Sequence, residues 1–404
     1  MMRISTQTFY DQSQSAMGSQ QLNLFRIQQK VATGRNILTP SDDPVGAARA
    51  LNVSQALSEG AQYAASRSQA TAMLSREEDA LQNVVSVLQN LKTLTVQAGN
   101  GTLSDADRAS LATTIQSNLD QLVGLANADD GNGQFIFAGF KSATAPFAPQ
   151  AGGGYQYLGD QGQRLMQVDV ARQMATTDDG RSVFQSVQGG AGYVASGAAA
   201  NTGTGVFGAV SVTDATAAAY GKDFTISFAG GNYNVQTKDT PPTVVATGPY
   251  AAGTPISFGG LSLSISGQPA DGDSFDVSTA RNAGTDIFAT LGELVTALKK
   301  PLEGGGAQAQ SQLLNALSTA NVKITNAHDN VLTIRASVGS RMSELEQLDS
   351  GGEARTLIDK SYLSEIEDLD YYDAISEFTQ RQTALQAAQQ TFVSLSGLAL
   401  FKYL

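Results

Sequence analysis

Residues 317–348 read LSTANVKITNAHDNVLTIRASVGSRMSELEQL. Leu317, Ile324, Val331, Val338 and Leu345 recur every seven residues, while Ala320, Ala327, Ile334 and Leu348 hold the companion register, interrupted only by Arg341. Apolar residues at this period draw a narrow seam down one side of a helix, and so long a seam needs partner helices beside it along its length. The stretch from about Asp286 to Leu348 is therefore expected to be one long helical element of a bundle.

Its partners are sought upstream. Asp43 followed by Pro44 supplies an N-cap and a first-turn proline, opening a helix expected to run until Gly99-Asn100-Gly101 breaks it. Within it Leu74, Leu81 and Leu88 recur every seven residues, with Val84 and Leu91 between them. Ser104, with Asp107 three positions on, has the form of a capping box for a second helix. Leu111, Ile115, Leu122 and Leu125 share one face of it until Asp129-Asp130-Gly131. The two helices form an αα-hairpin.

Between these helical parts the pattern changes. Seven of the ten prolines lie from Pro146 to Pro269, and short alternating runs replace the helical period, so residues about 140–280 are read as a β-rich insert. Tyr155 and Tyr157 lead through Gly159-Asp160-Gln161-Gly162 to Leu165–Val170, read as a hairpin. Phe224, Ile226 and Phe228 lead through Gly230-Gly231-Asn232 to Tyr233 and Val235. Ile256 and Phe258 turn at Gly259-Gly260 into Leu261, Leu263 and Ile265. Phe275 and Val277 look like a closing strand.

Both ends return to the seven-residue period. Tyr10, Met17, Leu24 and Val31, with Ile27 filling a companion position, make residues about 5–38 an amphipathic helix roughly 50 Å long. Phe378, Leu385, Phe392 and Ala399, accompanied by Ala388 and Leu395, do the same at the other end. A single such helix is marginal in water. The sequence places both outside the bundle, without a local partner. They are expected to pair with each other, to pair with neighbouring copies, or to stay disordered until they do. Residues 1–49 carry Arg3, Arg26, Lys30, Arg35 and Arg49 against Asp11, Asp42 and Asp43, whereas 344–377 carries eleven acids against Arg355 and Lys360. Opposite signs favour docking of the two arms.

Composition excludes several functions. A formal net charge of −12 repels phosphate backbones and anionic lipid, so nucleic acid and membrane surfaces are not expected partners. There is no cysteine, hence no disulfide framework, thiolate nucleophile or thiolate metal site. Nowhere do 18 apolar residues run together, and Met1–Gln29 holds no apolar block of the secretory type. On composition alone the default location is cytoplasmic. His328, the single histidine, has no acid and nucleophile at matching positions and reads as a packed or solvated side chain. Glu365, Glu367, Asp368, Asp370 and Asp373 lack the spacing of a calcium loop and read as a solvated or basic-partner face. Gly152-Gly153-Gly154 and Gly304-Gly305-Gly306 are followed by no Gly-Lys-Ser/Thr and read as linkers and turns. No catalytic, cofactor-binding or metal-ligating residues are expected.

Specific motifs narrow the reading. Met2-Arg3-Ile4-Ser5-Thr6, and then Ala32-Thr33-Gly34-Arg35-Asn36-Ile37-Leu38-Thr39-Pro40-Ser41-Asp42-Asp43-Pro44, resemble the opening of the bacterial flagellar hook-filament junction proteins, the third hook-associated proteins of the flagellin family. Val96-Gln97-Ala98-Gly99-Asn100-Gly101-Thr102 with Asp105-Ala106-Asp107-Arg108 resembles a turn shared by flagellins. Gly133-Gln134-Phe135-Ile136-Phe137-Ala138-Gly139 resembles the segment leading out of the family's helical core. The likeness covers about 1–140 and 280–404, not the insert. Thr39–Pro44 favours the junction family over flagellin, which usually reads Asn-Ser-Ala-Lys-Asp-Asp-Ala there, and the Asn-Thr-Pro-Gly-Tyr-Ser signature of the first hook-associated protein is absent. Lys92 stands where many flagellins have an arginine recognised by an innate immune receptor, so that recognition is not carried over.

The expected fold class is α+β, mainly α. It is a long coiled-coil-like bundle built from N- and C-terminal segments, with an inserted β-rich domain and terminal helical arms. The boundaries are an N-terminal assembly arm 1–42, bundle 43–139, insert 140–280, bundle 281–350 and a C-terminal assembly arm 351–404. The resemblance implies a structural, non-enzymatic subunit, secreted unfolded through the flagellar export channel, with an export chaperone. It implies assembly into a ring of identical subunits between the first hook-associated protein and flagellin in the extracellular flagellum. Two other readings stand beside it: a flagellin filament subunit, and a β-domain adhesin or binding module on a helical stalk.

Overall fold

The computed structural model describes residues 6–151 and 154–400; Met2–Ser5 of the opening motif, and Gly152 and Gly153, lie outside the described residues. The chain groups into two compact units, 66–346 and a second made of 1–65 with 347–404. Two long helices, α2 (Pro44–Ala98) and α6 (Gly306–Glu367), contribute to both.

In the 66–346 unit the expected seams are largely enclosed, with Leu111, Leu125 and Ile334 half-buried. Leu74, Leu81, Val84, Leu88 and Leu91 of α2 are buried, as are Leu317, Ile324, Val331, Val338 and Leu345 of α6. Each such side chain contributes about 1.5–3 kcal/mol when fully buried. The helices run antiparallel, since Glu78 pairs with Arg335 while Gln89 meets His328 at 3.4 Å. α3 (Asp105–Ala126) starts with the full capping box of Ser104 and Asp107 and buries Ile115, Leu119 and Leu122. Asn90 donates to Asn118 at 3.0 Å, closing the α2–α3 hairpin.

The stretch expected as one element from Asp286 to Leu348 is two helices. α5 (Ile287–Lys299), capped by Asp286, ends at extended Lys300 before Pro301, because a residue preceding proline is pushed out of the helical region. The amides of Leu302 and Glu303 then donate to the Asp105 carboxylate at 3.0 and 3.3 Å, and α6 begins afresh. It passes Leu348 and continues through Gly351 and Gly352 to Glu367.

The β-rich part has two pieces. In the first, β1 (Phe147–Pro149) pairs with β2 (Tyr155–Tyr157), and β3 (Leu165–Asp169) pairs with β4 (Arg172–Ala175). The expected hairpin from Tyr155–Tyr157 to Leu165–Val170 is therefore wrong. Asp160 takes the amides of Phe140 and Gly162 at 2.9 and 2.8 Å, and the Tyr157 hydroxyl donates to Asp160 and Phe137 carbonyls. The loop thus folds back on 137–140 instead of closing a hairpin. A short helix, α4 (Gly180–Phe184), follows, and Phe147, Phe184 and Phe288 of α5 stack within 4.9–5.6 Å.

The second piece is a sandwich. One sheet has the order β10 (Val244–Pro249), β9 (Asn232–Thr237), β8 (Phe224–Ala229), β13 (Ser274–Thr279), β5 (Tyr193–Gly197). The other joins β11 (Pro255–Phe258), β12 (Leu261–Ser266) and β6 (Val206–Phe207), with β7 (Ser211–Val212) also on β12. The β8–β9 and β11–β12 hairpins and the closing strand are those read from the sequence. Gly259 and Gly260 both take positive φ, 54° and 80°, as the two-residue hairpin turn that matches strand twist requires. Phe224, Ile226 and Phe228 alternate inward and meet Leu261, Leu263 and Ile265 in one core.

Candidate assembly interface

The unit of 1–65 with 347–404 holds both terminal helices, α1 (Thr6–Thr33) and α7 (Tyr371–Leu400). They run antiparallel: the Tyr10 and Phe392 rings meet edge to face at 5.6 Å, and at the other end Arg35 bridges to Asp368. Of the three outcomes expected for the arms, the structure shows the first, pairing within one chain. Ile27 is buried, whereas Tyr10, Met17, Leu24 and Val31 on α1 and Phe378, Leu385, Ala388 and Phe392 on α7 are half-buried. The side chains of Leu395 and Ala399 lie outside the described residues.

The turn after α1 explains the motif found there. The helix ends at Thr33 rather than near residue 38. Gly34 takes φ 71° and its amide donates to the Lys30 carbonyl at 2.8 Å, a left-handed helix end that favours glycine. A Cβ at this position would lie 2.9 Å from the Tyr371 hydroxyl. The backbone then forms a two-strand clasp: Asn36 N–H donates to Glu367 at 2.7 Å and Leu369 N–H to Gly34 at 2.9 Å, with Arg35 and Glu367 side chains 3.5 Å apart. Asp42 accepts the amides of Leu38 and Thr39 and the Thr39 hydroxyl. The Thr39 amide first of all, then its hydroxyl, hold the Asp42 carboxyl below its ordinary value. Asp43 accepts the Val45 and Gly46 amides at 3.1 and 2.9 Å and so caps α2.

Three members of the acidic cluster have structural duties. Glu367 and Asp368 belong to the clasp, and Asp370 caps α7 by accepting the Tyr372 and Asp373 amides. His328 sits between Gln89 and Asp329.

Beside the seam, large apolar side chains face solvent. Leu22 and Phe25 on α1 are 67% and 60% exposed, and Leu51 on α2, Leu357 and Ile358 on α6 and Tyr372 on α7 are exposed as well. Leu22 and Phe25 are spaced three apart and lie off the seven-residue stripe, so the seven-residue period does not mark them.

Comparison with known proteins identifies the family. Models described as the bacterial flagellin N-terminal and C-terminal helical regions match residues 4–142 and 322–404. One described as the D2-like domain of flagellar hook-associated protein 1 matches 196–279, so the insert, too, has relatives. Flagellar hook-associated protein 3 of Salmonella typhimurium is 33% identical over 401 residues, 99% of each chain. This chain belongs to the flagellar hook-associated protein 3 family. Two solved members agree in fold. A Legionella pneumophila structure titled as the flagellar junction protein FlgL is 29% identical with a TM-score of 0.68, covering 79% of this chain and 99% of that one. FlgL of Xanthomonas campestris is also 29% identical with a TM-score of 0.68, covering 77% and 99%. The flagellin models match the helical ends alone, whereas likeness to hook-associated protein 3 runs through arms and insert together.

Proposed function

We propose that this chain is a structural subunit of the bacterial flagellum that forms the junction between hook and filament. The observation that carries the reading is its likeness, over nearly the whole of both chains, to a protein named flagellar hook-associated protein 3. Segments 1–42 and 351–404 act as assembly arms. Tyr10, Met17, Leu24, Ile27, Val31, Phe378, Leu385, Ala388, Phe392, Leu395 and Ala399 supply their contacts. The antiparallel α1–α7 pair supports this, because its thin seam and outward apolar residues leave a face for neighbouring copies. The neighbours are further copies of this chain in a ring, the first hook-associated protein on one side and flagellin on the other. The chain reaches that place through the flagellar export channel with the help of a chaperone, and performs no catalysis. A strain lacking this gene is the test. Flagellin released unassembled into the medium, and filaments restored by the intact gene, are the expected result; normal filaments in the deletion strain overturn the reading.

A further inference from the structure

Glu77, on α2, has no exposed surface. One of its carboxyl oxygens accepts the backbone N–H of Asp178 at 2.9 Å, in the connector between β4 and α4. The other is enclosed and has no hydrogen-bond partner among the described residues, and the neighbouring Thr177 hydroxyl is in the same condition. The charged groups around it are few. The Asp178 carboxylate is paired with Arg341 of α6, both mostly enclosed, and Arg341 also donates to the Ala175 carbonyl at 3.0 Å. Asp179 is occupied in capping α4, and Glu78 is matched by Arg335 of α6. Arg341 is already committed to Asp178, so an ionised Glu77 would have to share that one cation with a second carboxylate; Arg341 and the Asp178 amide favour the ionised form, and burial and the Asp178 charge outweigh them.

We propose that Glu77 is a proton-operated clasp: α2 packs tightly on the β4–α4 connector while the enclosed carboxyl is neutral, and ionisation, which sets a second negative charge beside Asp178 in an enclosed place, loosens that packing although the hydrogen bond from the Asp178 amide itself would survive. Burial first, and then the Asp178 charge, push the Glu77 carboxyl up to about 8 from an ordinary 4.5. The unfolded chain releases this proton near 4.5 while the folded chain keeps it to about 8. Stability is thus undiminished below the lower value, falls as pH rises through the window, and levels off above it.

The test is hydrogen exchange of the full chain from pH 5 to 8, corrected for intrinsic exchange chemistry, in segments 70–91 and 172–184. One proton changes the opening equilibrium by up to about tenfold per pH unit. Opening in the wild type should rise with pH by up to that factor more steeply than in Glu77→Gln, which keeps the shape and loses the titration. Parallel pH profiles overturn the proposal. Should the variant not fold, the carboxyl carbon resonance of Glu77 in the wild-type chain decides: a midpoint on the alkaline side of pH 7 supports the clasp, and one near 4.5 overturns it. Asp178→Asn should move that midpoint downward by removing the negative neighbour; no movement counts against the proposal.

Discussion

Gly34 has two independent reasons to be glycine: its positive φ, and the Tyr371 hydroxyl that fills the space of a Cβ. A left-handed conformation costs an ordinary residue roughly 1–2 kcal/mol, and Gly34→Ala must also displace Tyr371. The variant is expected to open the clasp by that amount or more, read as faster exchange of the Asn36 and Leu369 amides, which donate across it. The adjoining Thr39–Pro44 motif was only half legible. Asp43 before Pro44 announces a helix start in any sequence, whereas Asp42 folding the 38–42 turn around its carboxylate depends on three-dimensional closeness that no period encodes. Because its carboxyl sits below the ordinary value, Asp42 supports that turn at neutral pH and gives up the support as pH falls through its lowered value.

Along α6 one face is polar, and it is where the sandwich docks. Gln308 and Gln312 donate to the Asn201 carbonyl, Ser311 to Gly203 and Thr319 to Ala195. Asn315, buried, accepts the Phe207 amide at 3.1 Å and donates to the Gly205 carbonyl at 2.9 Å. Asn315→Ala strands both groups, each costing about 1–3 kcal/mol when left unsatisfied in a buried place. The Phe207 amide should then exchange faster, while protection of Val277 in the sandwich core stays as it was; equal loss at both would mean the sandwich had come apart rather than loosened from the helix. The seven-residue period of α6 marks the apolar seam but not this stripe, since a polar helix face has the pattern of a solvated one unless its partner is known. The same limit separates the β elements. Phe224–Val235 and Ile256–Ile265 announced hairpins through alternation and paired glycines. β6 and β7, two residues each, carry no period at all, and β2 chose β1 because Asp160 and Tyr157 bent the chain away from β3.

Across the whole chain the apolar seam changes character. In the 66–346 unit it is made largely of enclosed leucine, valine and isoleucine, while in the other unit Tyr10, Met17, Leu24, Val31, Phe378, Leu385, Ala388 and Phe392 are half-buried and Ile27 and Ala374 are enclosed. The second unit therefore has little stability to spare, and two kinds of substitution should separate its internal fold from its external contacts. Phe392→Ala removes the ring that meets Tyr10, a contact worth about 0.5–1.5 kcal/mol beyond the area it covers, and should speed exchange along α1 and α7 in the isolated chain. Leu22→Ser with Phe25→Ser touches two solvent-facing side chains and should leave the stability of the isolated chain within about 0.5 kcal/mol. If that face meets neighbouring copies, the double variant should nonetheless fail to restore filaments to the deletion strain, although the chain is made and folds. Restoration at the wild-type level would move the contact surface off this face. Contacts through Leu51, Leu357, Ile358 and Tyr372, or through the seam itself with α1 of one chain exchanging its α7 for that of another, would then be the alternatives, and for the seam Phe392→Ala, not the outward pair, would become the variant that stops assembly.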